Sequence, residues 1–130
     1  MVIDTSAAVA ILTNVPDEAR YREAIKATFD LRMSALNVFE CRVVLGVKGG
    51  DALAMAFDLL LAEAGVEIRP FDADQARLAY EAYRRHGRGS GHGAGLNLGD
   101  CAAYALARSL DAPLLYKGGD FAKTDVAAAV

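Results

Sequence analysis

The strongest constraint on this chain is its regular exchange of short apolar runs for helical stretches. Val2–Ile3, "LRMSAL" (31–36), "VEIRPF" (66–71) and "APLLY" (112–116) each read as a short strand. An amphipathic segment follows from Ser6. Pro16 stands where a missing amide donor costs nothing, predicting a helix that runs to about Phe29. Asn37 and Glu40 lie at capping-box spacing, so a helix is expected to open at Asn37 and run through "NVFECRVVLGVKG". "GDALAMAFDLLLAEAG" places Leu53, Phe57, Leu60 and Ala64 on one stripe, with Gly65 as its stop. Asp72 and Gln75 make a second box, closed by Gly87. A last helix is predicted from Asp100 to Leu110, and "VAAAV" at the end as a small tail strand.

Short strands alternating with helices imply an α/β domain. Its sheet should be mostly parallel, of four to five strands, with helices on both faces. A chain of 130 residues suits one domain, 1–130, around a single buried core. Asp4 and the lack of a basic leader make the start a poor signal peptide, and the apolar run Ala7–Leu12 is far shorter than the ~20 residues a membrane span needs. A cytoplasmic protein with no membrane partner is the expectation.

In parallel sheets, functional groups gather beyond the carboxyl ends of the strands. Four acids fall at such places. Asp4 closes the first strand, Glu40 sits one turn into the helix after the second, Asp100 opens a helix, and Asp120 follows the last strand. Each also has a local reading: Asp4 and Asp100 as caps, Glu40 as the far half of a capping box, and Asp120 as a turn residue in "GGDF". Convergence would have an electrostatic consequence. Two carboxylates ~5 Å apart at an effective dielectric of ~20 repel by roughly 3 kcal/mol, so four in one pocket call for protons or a cation. An all-carboxylate set selects Mg²⁺ or Mn²⁺, which take phosphate oxygens as further ligands. Metal-assisted phosphodiester hydrolysis is the chemistry that follows.

The formal charge of −3 does not advertise nucleic-acid binding, but setting four metal-neutralised acids aside leaves 13 acids against 14 basic residues. Arg84, Arg85, His86 and Arg88 cluster beside the glycine loop "GRGSGHGAGLNLG". Arg85 has Glu81 one turn earlier as a candidate partner, and Arg88 has none on the helix. The loop follows a helix rather than a strand and lacks GKS or GKT, so it is no phosphate-binding loop; it suits a mobile lip that admits a flexible substrate. Cys41 and Cys101 form no CxxC pair and read as buried reduced thiols. With His86 and His92 alone, a structural zinc site is not expected.

"MVIDTSA", "SALNVFEC", "RPFDADQARLAYEAYRRHGRG" and "LNLGDCAAYALARSLDAPLLYKGGDFAKTDV" together resemble, in order and over essentially the whole chain, the VapC family of PIN-domain ribonuclease toxins. The resemblance implies a PIN-like fold and a Mg²⁺- or Mn²⁺-dependent endoribonuclease. Its metal-binding acids would be Asp4, Glu40, Asp100 and Asp120, with Ser6 in support of Asp4. It further implies RNA as substrate, a homodimer, a VapB-like antitoxin as inhibitor, and contact with DNA only through that antitoxin. Arg84, Arg85 and Arg88 are candidate RNA contacts. Gly118, Gly119 and Leu98 depart from the residues usual in the family at their positions.

Three rival readings draw on the sequence. A haloacid-dehalogenase-like phosphatase would use Asp4 as nucleophile with Lys117 and Asp120, but that chemistry wants an acid where this chain has Ser6. A non-catalytic binding module would use the acids as caps and the apolar positions Val43, Val44, Val47, Leu53, Phe57, Leu60 and Leu61 for a partner. A metal-free ribonuclease built on His86 and His92 is a third, marked by indifference to chelators.

Overall fold

The computed structural model describes residues 1–130. Strand β1 (Val2–Ile3) leads into helix α1 (Thr5–Leu12) and, after a turn, helix α2 (Glu18–Lys26). Strand β2 (Arg32–Ser34) feeds the long helix α3 (Ala35–Glu63), and strand β3 (Glu67–Arg69) follows. Helices α4 (Ala73–His86) and α5 (Leu98–Ser109), strand β4 (Leu114–Leu115) and a 3₁₀ turn at Phe121–Lys123 complete the chain.

All pairings are parallel and the strand order is β3-β2-β1-β4. The chain therefore moves outward from β1 through β2 to β3, then crosses back to lay β4 on the other side of β1. That reversal puts the switch of strand order beside β1, where a crevice at the carboxyl ends is expected. The tail adds no fifth strand: it is a single bridge, Leu114 to Ala128, held by Leu114 N donating to Ala127 O at 2.8 Å.

Side chains alternate across the pleat, and this divides the interior in two. Ile3, Met33 and Leu115 point to one face and pack with Ile11, Tyr21, Leu45 and Phe57 from α1, α2 and α3. Val2 and Leu114 point to the other and pack with the alanine-rich stripe of α5, with Ala79 and Ala82 of α4, and with Phe121. The expected single core is thus two cores separated by the sheet. The alanines of α5 explain the second: every residue from Cys101 to Ala107 is buried, and the small ones among them let the helix lie close on the strands.

Several boundaries differ from the sequence expectation for local reasons. α2 starts after Asp17 and ends at Lys26, leaving Phe29 fully exposed beyond it. α3 opens at Ser34, whose hydroxyl accepts from Leu36 N at 3.3 Å, so Asn37 is inside the helix and is not its cap. The two helices expected over "NVFECRVVLGVKG" and "GDALAMAFDLLLAEAG" are the arms of α3, broken at Gly49 and Gly50; Gly50 has φ +63°, a conformation that favours glycine. α4 is capped by Asp72 as expected, but the Gln75 side chain turns to Ser109 instead of closing a box.

Candidate metal-dependent nuclease site

The parallel register carries the acid-bearing segments to one edge of the sheet. Asp4 is the residue after β1 and caps α1: its Oδ2 accepts from Ser6 N at 2.9 Å and from the Ser6 hydroxyl at 2.5 Å. Ser6 Oγ in turn accepts from Lys117 N at 2.9 Å, tying the end of β4 to the end of β1. Asp4 is buried, and its Oδ1 has no hydrogen-bond partner.

Glu40 projects from the second turn of α3. Its Oε2 accepts from the Thr5 hydroxyl at 2.5 Å and from Asn37 Nδ2 at 3.3 Å. The capping-box reading of Glu40 is therefore replaced by a reach across to α1. Gly99, at the second position of α5, makes room for it: a Cβ there would lie 2.3 Å from Glu40 Oε2. Asp100 does not itself open α5. Asn97 is the cap, and Asp100 completes a reciprocal box, its Oδ2 accepting from Asn97 N at 2.9 Å while Asn97 Oδ1 accepts from Asp100 N at 2.8 Å.

A common pattern emerges. In Asp4, Glu40 and Asp100 one carboxylate oxygen is fastened to the protein, and the other accepts no hydrogen bond from it. Side chains held this way are oriented yet keep a free oxygen for a ligand. Asp120, at the start of the 3₁₀ turn, is exposed and its carboxylate is not fastened at all.

The charges feel one another. Burial pushes the Asp4 carboxyl up to about 7; the two Ser6 hydrogen bonds oppose this, and the charges of Asp100 and Glu40 add to it. Asp100 is also raised, first by burial and then by Glu40 and Asp120, while the Asn97 amide and the Arg88 guanidinium act the other way. Four acids thus share one electrostatic neighbourhood. No three of them close around a common point at ligand distance. An all-oxygen set that supplies only part of a coordination shell fits Mg²⁺ or Mn²⁺, which retain waters and take substrate phosphates. The buried, unpartnered Asp4 Oδ1 supports that fit, because such an atom costs ~1–3 kcal/mol unless something satisfies it.

The basic cluster divides. Glu81 pairs with Arg77 at 3.0 Å rather than with Arg85, so Arg84, Arg85 and Arg88 all lack an acidic partner. Arg88 alone is near enough to the acids to ease the charge on Asp100. Arg84 and Arg85 lie with Glu81 along an exposed groove on α4. The glycine loop is closed at its base by Arg88 N donating to Leu96 O and Leu96 N donating to His86 O, and Lys123 Nζ donates to Gly93 O. Lys117 Nζ pairs with Asp17 at 3.1 Å, which engages the amine that a phosphatase reading would place beside Asp4. Cys101 is buried and its thiol is pushed up to about 12 by desolvation, so it is no nucleophile; Cys41 behaves alike. Thr5, Asn37 and Gly99 escaped the sequence reading as site residues. The available signal was adjacency: Thr5 follows Asp4, Gly99 precedes Asp100, and Asn37 is one turn before Glu40.

A four-stranded parallel sheet in the order 3-2-1-4, with helices on both faces and acids at its carboxyl edge, defines a PIN domain, and the PIN-domain family model matches residues 1–127. Among curated proteins, the ribonuclease VapC28 of Mycobacterium tuberculosis is 46% identical over 97% of this chain and 95% of its own length. Ribonuclease VapC42 of the same species is 43% identical over 97% and 96%. Among solved structures, M. tuberculosis VapC20, described as a sarcin-ricin loop cleaving toxin, superposes with a TM-score of 0.79 over 96% of this chain and 95% of that one, at 17% identity. FitAB bound to a DNA fragment matches with a TM-score of 0.69 over 98% and 93%, at 20% identity. The chain belongs to the VapC family of PIN-domain ribonuclease toxins. No helix is long and apolar enough to cross a membrane.

Proposed function

We propose that this protein is a Mg²⁺- or Mn²⁺-dependent endoribonuclease whose site is Asp4, Glu40, Asp100 and Asp120, acting in the cytoplasm and silenced by a VapB-like antitoxin. The observation that carries this reading is the pairing of one fastened and one free oxygen in Asp4, Glu40 and Asp100, with the free oxygen of Asp4 buried and unpartnered. Asp4 and Asp100 would hold the ion with Glu40 and Asp120 alongside; when bound, it supplies positive charge that neutralises the acids and polarises water and phosphate. Ser6 orients Asp4, Asn97 orients Asp100, and Thr5 with Asn37 orients Glu40. Glu40 Oε1 accepts no hydrogen bond from the protein and would take the proton of the attacking water. Water oxygen would bond to phosphorus as the bond to the 3′ oxygen breaks, that oxygen taking up a proton from solvent water, and the products would be a 5′-phosphate and a 3′-hydroxyl. Arg88 would hold a phosphate near Asp100, and Arg84 and Arg85 would track the strand further out.

The antitoxin reading draws on the same charge: an arginine of a partner segment is the natural counterion for an acidic crevice. DNA would be met only through that partner. A homodimer is supported by the exposed apolar face beside the site, where Leu36, Tyr80, Tyr83 and Leu98 line a mainly apolar groove and Phe39 and Val43 follow Leu36 at helical spacing along α3. End-group analysis of cleaved RNA tests the chemistry. A 5′-phosphate with a 3′-hydroxyl is expected; a cyclic phosphate would show attack by the RNA's own 2′-hydroxyl and return the reaction to His86 and His92.

A further inference from the structure

Asn37 is wholly buried, polar, and assigned no part in the chemistry above beyond its contact with Glu40. Its amide nitrogen meets three elements at once: Gly99 O on α5 at 3.0 Å, Thr5 Oγ1 on α1 at 3.3 Å, and Glu40 Oε2 on its own helix at 3.3 Å. Thr5 is the neighbour of Asp4 and Gly99 the neighbour of Asp100, so one side chain sits one residue from each of two acids and in contact with a third. The opposite wall is equally close: Gly99 leaves space where any Cβ would strike both Glu40 oxygens, at 2.3 and 2.5 Å.

Stability does not explain this residue. Gly99 O lies in the first turn of α5 and Glu40 Oε2 keeps the Thr5 hydroxyl, so neither depends on Asn37 for a partner. Asn37 Oδ1, meanwhile, is buried with no partner, which works against folding. A buried polar group held at a cost is better accounted for by position than by adhesion.

We propose that Asn37, seated against Gly99, is a positioning residue that fixes the mutual spacing of Asp4, Glu40 and Asp100, and thereby the protein's affinity for its divalent cation. The inference rests on the metal-dependent reading above. Its test measures metal binding directly, without RNA: titration of Mn²⁺ against the full-length protein, followed by the electron paramagnetic resonance of free Mn²⁺, for wild type, Asn37→Leu and Gly99→Ala. Leucine keeps the branching and heavy-atom count of asparagine and removes the orphaned oxygen; alanine keeps α5 helical and intrudes on Glu40 from the other side. Expected are a melting temperature for Asn37→Leu no more than a few degrees below wild type, Mn²⁺ affinity weakened at least tenfold in both variants, and RNA cleavage partly restored by excess Mn²⁺. Wild-type affinity in both folded variants would overturn the positioning role while leaving the metal reading intact. Absence of Mn²⁺ binding by the wild type itself would overturn the metal reading and this inference with it. Should Asn37→Leu fail to fold, Asn37→Ala, which removes the same amide without added bulk, takes its place in the same titration.

Discussion

Replacing Asp4 by asparagine should destroy the site and strengthen the fold, with a strength that depends on pH. Asp4 is buried, and burial pushes its folded carboxyl up to about 7, against 3.8 for the free group. Between those values the folded state keeps a proton that the unfolded state has released. The stability contributed by the neutral acid is therefore complete below about pH 4 and is lost as pH rises through about 7. At ~1.4 kcal/mol per unit, the cost to the metal-free wild type is on the order of 2 kcal/mol at pH 5 and 4 kcal/mol at pH 8. Asparagine mimics the protonated acid: its carbonyl can accept from both Ser6 donors and it carries no charge to repel Asp100 or Glu40. The stability gap between Asp4→Asn and wild type should then widen by roughly 2–3 kcal/mol from pH 5 to pH 8, or on the order of 10 °C in melting temperature for a chain of this size. Thermal melts of both proteins in EDTA across that range give the answer. Added Mg²⁺ should close the gap by stabilising only the wild type. A gap that is the same at both pH values would refute the reasoning, because Asp4 would then ionise freely and its surroundings would make no demand for a cation.

Other consequences are simpler to check. Cys101→Ala should cleave RNA at the wild-type rate, and neither thiol should react with a disulfide reagent at pH 8 until the protein unfolds, since burial pushes both up to about 12. Arg88→Ala should raise KM for RNA several-fold and lower the salt dependence of binding by about one counterion; Arg77→Ala, whose guanidinium is already paired with Glu81, should do neither. Phe39→Glu places a charge on the apolar face next to the site, where Phe39 is 69% exposed; in sedimentation it should turn a dimer into a monomer.

The gathering of the four acids at one edge was legible because a parallel sheet makes it so. Asp4 directly after β1 and Asp120 shortly after β4 had to reach the same edge once the strands were read as parallel, and Glu40 and Asp100 follow from the helices that leave that edge. Local roles were harder, because a capping box and a shared helix face have the same three-residue spacing. Asn37 and Glu40 satisfied both; only the pairing of β2 shows that Ser34 takes the cap and sends Asn37 inward. Asp4 and Asp100 show that the two readings need not compete, since one oxygen caps while the other stays free. Gly99 was not legible at all: its need arises from Glu40, fifty-nine positions earlier in sequence and brought to it only by packing. The division of the interior into two cores was likewise invisible in strands of two residues, too short to display alternation.

The most direct measurement of the central claim is cleavage of labelled RNA by the purified, antitoxin-free protein with Mg²⁺ or Mn²⁺, then with excess EDTA, beside Asp100→Asn prepared identically. Cleavage that requires the metal and is lost in the variant is the expected result. Cleavage that persists in EDTA, or in Asp100→Asn, would contradict a site built from these four acids.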